Sequence, residues 1–185
     1  MSNELPVFPL HAVLYPGAVL PLRIFELRYR RLVDECGKQK PFVVVRIRDG
    51  REVGEPAFTQ DVGTQVHFTE LVSQRDGTLG AMLLADERVR LHDFRIEADG
   101  LMFARVEPLA ADTYMPVPDD LLALASALEE QGDAIPDAGM LSWRIAERLP
   151  VTLDQRQQLL EETRVAQRLE TVRGWLLRHP GWMTA

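Results

Sequence analysis

Two stretches decide the fold: VHFTELVSQRDGTLGAMLL at residues 66–84 and LHDFRIEADGLMFARV at residues 91–106. Each carries an Asp-Gly pair, Asp76-Gly77 and Asp99-Gly100, between β-prone runs. Asx-Gly in that setting marks a hairpin, because both residues tolerate positive φ. The pattern predicts strands over 66–73 and 79–84, and again over 91–96 and 101–106. Toward the N-terminus, residues 42–47 form a β-branched run that reads as a buried strand ending at Asp49-Gly50. Prolines 6, 9, 16 and 21 forbid one continuous helix at the start and suit short edge strands, with Tyr15-Pro16-Gly17 as a turn. Between these segments Phe25, Tyr29, Leu32, Val33 and Cys36 recur at helical spacing before Gly37. This predicts an amphipathic helix with Glu26 in its first turn and Phe25 and Tyr29 packed on the sheet. The hairpins together imply a mainly antiparallel sheet or small barrel.

The pattern changes over 112–120, where Pro116 and Pro118 stiffen a connection and strand signals stop. Leu121, Leu124, Ala125 and Leu128 make one helical stripe, and Leu141, Ile145 and Leu149 make another before Pro150. A further helix starts at Thr152 or Asp154 as N-cap and carries Leu159, Leu160, Leu169, Val172 and Leu176 inward. The expected class is α+β, with a β-domain over 1–112 and a helical bundle over 113–185.

Composition narrows the function. The 185 residues are 46% hydrophobic and 26% charged, which suits a globular fold. No run of about 18 apolar residues could span a bilayer and no signal peptide is evident, so a cytoplasmic location without membrane contact is expected. The single cysteine, Cys36, allows neither an intrachain disulfide nor a thiolate cluster. The net charge of -7 argues against nucleic acid. Bases nevertheless crowd residues 23–51, while Asp112, Asp119, Asp120, Glu129, Glu130, Asp133 and Asp137 form an acidic stretch.

The opening LPVFPL (5–10), YPG (15–17) and LPLRIFELRYRRLV (20–33) resemble the signature of the Lon protease N-terminal, substrate-binding domain. VGT (62–64), the Asp76-Gly77 hairpin, the arginine-bearing strand at 88–91, LPVTLDQRQQLLE (149–161) and Arg168-Leu169 extend the resemblance over nearly the whole chain. It implies a PUA-like β-barrel followed by the helical part of the same region, in a stand-alone form without ATPase or protease domains. One departure is Ala85, where the family commonly has glycine three residues before the strand arginine, here Arg88. A positive φ there would cost about 1 kcal/mol, so a reshaped turn is expected.

Catalytic chemistry finds no support. There is no GxxxxGK[ST], and the two lysines, Lys38 and Lys40, lie outside any phosphate-binding pattern. His11, His67, His92 and His179 lack metal-ligand spacing, and Ser73, Ser126 and Ser142 lack a nucleophile-elbow context. No catalytic residue, metal or cofactor is expected, and the chain reads as a non-enzyme. The resemblance implies recognition of unfolded or exposed protein segments through accessible apolar surface. The candidate peptide-binding residues are Leu20, Leu22, Ile24 and Phe25, then Leu71, Val72 and Leu79. Two alternatives stay open: an RNA-binding PUA-like module using the arginines of 23–51, and an adaptor for one fixed protein partner.

Overall fold

The computed structural model describes residues 3–54 and 57–182. The chain divides into two compact units, Met1–Leu109 and Ala110–Ala185. The first holds β1 (Glu4–Leu10), β2 (Val19–Ile24), α1 (Leu27–Cys36), β3 (Phe42–Asp49), β4 (Phe58–Ser73), β5 (Leu79–Ile96) and β6 (Met102–Pro108). The strand order is β2-β5-β4-β3-β1-β6, and β6 also pairs with β5. Pairing is antiparallel except between β1 and β3. The path from β5 through β4, β3, β1 and β6 therefore returns to β5, while β2 lies outside it, paired among the described residues to β5 alone.

The long strands make this arrangement possible. The first part of β5, residues 79–84, pairs with β2, and its later part, residues 89–96, pairs with β6. The sequence pattern predicts two separate strands here, 79–84 and 91–96. The ladder instead runs through, absorbing the polar residues by a register shift between Val66↔Ala85 and Thr64↔Arg88. Ala85 is buried inside β5, donating its N–H to Ala18 O at 2.8 Å and accepting from Gly17 N–H at 2.8 Å. Among the described non-glycine residues only Asp93 has positive φ, so the reshaped turn expected at Ala85 does not occur. Asp93 itself sits in the second irregularity of β5, between His92↔Arg105 and Arg95↔Phe103.

The β-branched run in β3 is buried on both faces. Val43 and Val45 join one apolar cluster with Val7, Val89 and Leu91, while Phe42 and Val44 join another with Tyr29, Leu32 and Phe68. A strand buried on both faces needs continuous rather than alternating hydrophobicity. The VGT motif acts at this strand: a Cβ on Gly63 would lie 2.5 Å from Val44 O, and Thr64 Oγ1 donates to Leu14 O at 2.5 Å.

Helix α1 starts later than expected. Glu26 is its N-cap residue, and Phe25 precedes the helix with 53% of its surface exposed, so Phe25 is not the core residue that helical spacing suggested. Tyr29 is buried and stacks on Phe8 with ring centroids 4.0 Å apart. Arg28 is buried as well, paired with Glu26 at 3.1 Å.

The second unit holds a 3₁₀ turn (Asp119–Leu121), α2 (Leu122–Glu130), α3 (Ala138–Arg148), α4 (Leu153–Glu161) and α5 (Val165–Arg178). Thr152 caps α4 in a reciprocal capping box with Gln155. The helix expected to run on from there is two helices, broken at 162–164. Glu162 Oε1 accepts from the Arg164 backbone N–H and guanidinium, both at 2.9 Å, and the Glu162 backbone carbonyl accepts from Arg168 at 3.1 Å. The acidic stretch is distributed over arginines: Asp112 meets Arg168, Asp120 meets Arg173, and Asp133 meets Arg144 and Arg148. Asp137 caps α3 by accepting Met140 N–H at 2.8 Å.

Candidate functional site

Register across β2, β5 and β4 sorts the apolar residues onto two faces. Strand side chains alternate, and residues directly opposite in neighbouring strands share a face. One face carries Leu20↔Leu83↔Phe68, Leu22↔Ala81↔Leu71 and Ile24↔Leu79↔Ser73. The other carries Val19↔Leu84↔His67, Pro21↔Met82↔Glu70 and Arg23↔Gly80↔Val72.

The first face is the core side. Leu20, Leu22, Leu71 and Leu79 are partly buried and packed against the main apolar cluster, to which Ile24 belongs. Ile24, 1% exposed, is sealed and leaves the set of surface candidates. Val72 lies on the opposite, outward face and is 54% exposed, and Phe25 is exposed just beyond the end of β2. The structure thus divides the seven candidates: five sit on the inner face, one on the outer, and one in the connection to α1.

The outward face is the surface that the sequence reading missed. Val19 is 59% exposed, Pro21 is exposed, and Met82 and Leu84 are partly so, giving with Val72 an apolar patch across three neighbouring strands of the sheet. Hydrophobicity alone had drawn attention to Leu20 and Leu22, whose parity in β2 points them inward. The signal available in the sequence was that VLPLRI is apolar at both parities.

Polar groups border this face. Arg23 donates to Thr78 Oγ1 at 3.1 Å and pairs with Asp76 across the hairpin. Asp76 is held below the usual carboxylate range by its hydrogen bonds from Thr78 and by Arg23. His67 Nδ1 lies 2.8 Å from Asp86. The free edge of β2 is interrupted by Pro21, which has no N–H, so it offers a broken row of donors to an added strand. Side-chain contact with the face, rather than extension of the sheet, suits this geometry.

Three of the arginines of 23–51 carry acids of their own. Arg31 pairs with Glu35 at 2.6 Å, Glu97 at 2.6 Å and Asp99 at 2.9 Å, alongside the Arg23 and Arg28 pairs already described. Cys36 is buried, and that burial pushes its thiol up to about 11, away from the thiolate a nucleophile needs. Among the described residues no three His, Cys, Asp or Glu side chains gather as metal ligands. No described helix is long and apolar enough to cross a membrane.

A family model for the substrate-binding domain of ATP-dependent protease La (LON) matches residues 4–131. The chain belongs to the LON substrate-binding domain family. Its LON fold is similar to the crystal structure of a Lon N-terminal domain protein from Xanthomonas campestris, with 35% identity and a TM-score of 0.79, covering 93% of this chain and 98% of that one. The N-terminal domain of a Mycobacterium avium complex Lon protease shares the fold at 16% identity and a TM-score of 0.68, covering 95% of this chain and 99% of that one. Among curated relatives, Lon protease 2 of Syntrophobacter fumaroxidans is 29% identical over 96% of this chain, and the Lon protease of Paraburkholderia phytofirmans is 32% identical over 92%. The chain spans about a quarter of the length of each, 25% and 24% respectively.

Proposed function

We propose that this LON-family chain is a non-catalytic module that binds unfolded or exposed apolar protein segments on the outward face of β2, β5 and β4. The observation carrying this reading is the patch of exposed Val19, Pro21 and Val72 with partly exposed Met82 and Leu84, on a sheet whose other face already supplies the core. Exposed contiguous apolar surface on a soluble fold marks an interaction site. Phe25 supplies a further apolar contact at the end of β2, and the half-buried Leu20, Leu22, Leu71 and Leu79 support the face from beneath.

In this reading the returning strand path of the first unit is a small PUA-like barrel over residues 1–112, and residues 113–185 form a helical bundle. The module needs no cofactor, hydrolyses neither ATP nor peptide bonds, and works in the cytoplasm. Its RNA-binding alternative is disfavoured by the acids paired with Arg23, Arg28 and Arg31.

The test is binding of reduced, carboxymethylated casein by the purified chain and by Met82→Asp and Val72→Asp variants. Weak salt dependence and loss of binding in both variants, with unchanged melting temperatures, support the reading. Binding of RNA that weakens steeply with salt, without casein binding, would replace it. Crosslinking in extract that yields one stoichiometric protein and no casein binding would favour a fixed-partner adaptor.

A further inference from the structure

Nine side-chain positions make the outward face, and three of them carry carboxylate or guanidinium charge or an imidazole. Arg23 is occupied by Asp76 and Thr78 at the hairpin end, and His67 by Asp86 at the other end. Glu70 lies between them, directly opposite Met82, which in turn faces Pro21 on β2. Its side chain is exposed and, among the described residues, has no ion pair or hydrogen bond. A carboxylate thus stands in the β4 column of the face, directly beside Met82 and between His67 and Val72 along the strand.

We infer that Glu70 selects, among apolar protein segments, those that bring a lysine or arginine alongside their apolar residues. The inference rests on the docking face proposed above. An apolar segment lying across the row Pro21, Met82 and Glu70 excludes water from that carboxylate, and a desolvated charge without a partner opposes binding. A cation at the matching place on the segment removes that penalty and adds attraction in a medium less polar than water. Neither Arg23 nor His67 supplies the counter-charge, because each already has its acid. An acidic residue at the same place on the segment adds repulsion to the desolvation penalty, so the face discriminates by charge as well as by hydrophobicity.

The competing role for Glu70 is to keep an exposed apolar sheet face from self-association. The two roles separate in a peptide-binding experiment. Fluorescence anisotropy would follow three dye-labelled peptides of leucine, phenylalanine and alanine that differ only in a central Lys, Gln or Glu. The wild-type chain should prefer the Lys peptide over the Glu peptide by about fivefold or more at low salt, with the ratio shrinking as salt rises. Glu70→Gln, which keeps the shape, should bring the ratio close to one, and Glu70→Lys should invert it. A ratio that persists in Glu70→Gln, or is absent from the wild type, overturns the inference. Met82→Asp separates this failure from failure of the docking face. If Met82→Asp abolishes binding while the wild-type ratio is flat, the face stands and the role of Glu70 falls. If Met82→Asp leaves peptide binding untouched, both fall.

Discussion

Arg168 is fully buried, and its environment makes the cost of removing it calculable. The guanidinium sits over the Trp143 ring, 3.9 Å from the centroid, and donates to Asp112 Oδ1 at 2.9 Å, Glu162 O at 3.1 Å and Ser142 Oγ at 3.2 Å, with a second close contact to Asp112 Oδ2. Removing one partner of a buried pair is destabilising by roughly 3–5 kcal/mol, because the other charge loses its compensation. Asp112 keeps 25% of its side chain exposed and can regain water, so Arg168→Met belongs at the lower end, about 3 kcal/mol. Asp112→Asn leaves the charge on the fully buried guanidinium, and its loss should be as large or larger. The double variant Arg168→Met with Asp112→Leu should lose much less than the sum, because the charges are removed together.

All three tryptophans, Trp143, Trp175 and Trp182, lie in Ala110–Ala185, so tryptophan fluorescence during urea unfolding reports that unit. Arg164→Met, at a side chain 72% exposed and paired with Glu162, is the control and should leave the midpoint unchanged. Losses below about 1 kcal/mol in both Arg168→Met and Asp112→Asn would refute the reasoning that this ion pair holds the linker residue to the helices.

Other perturbations follow from the same structure. Gly63→Ala places a methyl group against Val44 O and should lower stability by about 1–3 kcal/mol, seen as an earlier melt by circular dichroism; an unchanged melt would mean that β3 and β4 separate easily there. Thr152→Ala removes one arm of the capping box and should cost about 1 kcal/mol in the tryptophan-detected transition, and no loss would deny the cap a role. Burial raises Cys36 from 9.0 to about 11 and Tyr29 from 10.0 to about 12. The folded values exceed the unfolded ones, so this stability is complete below pH 9.0 and is lost as pH rises through about 11 and about 12. The loss is on the order of 3 kcal/mol per group, and Cys36→Ala and Tyr29→Phe should each flatten part of the alkaline decline; a decline identical in all three proteins would show that neither group causes it.

The turns and the doubly buried strand were legible because their chemistry is local. Asp76-Gly77 and Asp99-Gly100 do close hairpins, with Gly77 and Gly100 at positive φ, and the β-branched run is β3. Thr152 is the N-cap of α4, and the stripe of Leu141, Ile145 and Leu149 is buried. The division between α4 and α5 was not legible, because the contacts that accompany it, Arg164 on the Glu162 carboxylate and Arg168 on the Glu162 carbonyl, are announced by no periodicity. The buried Arg28 and Arg168 were equally hidden, since their partners come from folding rather than from adjacent charge alone.

The candidate site was obscured for a different reason. In β2, VLPLRI, the residues at both parities are apolar up to Leu22, and in β5 Met82 and Leu84 alternate with Ala81 and Leu83. Such a pattern has two physical explanations: burial on both faces, or a core on one face and an exposed apolar surface on the other. β3 realises the first, with Phe42 and Val44 in one cluster and Val43 and Val45 in the other. β2 realises the second: Leu20, Leu22 and Ile24 pack on the main cluster while Val19 and Pro21 are exposed on the opposite face. Which explanation holds depends on what packs against the second face, and that is set by contacts between residues far apart in the chain. The pairing also fixes parity, and a shift of one residue between β2 and β5 would exchange Val19 and Pro21 for Leu20 and Leu22 on the outward face. That exchange would turn the side chains now packed on the main cluster toward solvent, so the core that holds Leu20, Leu22 and Ile24 inward is also what presents the opposite residues for binding.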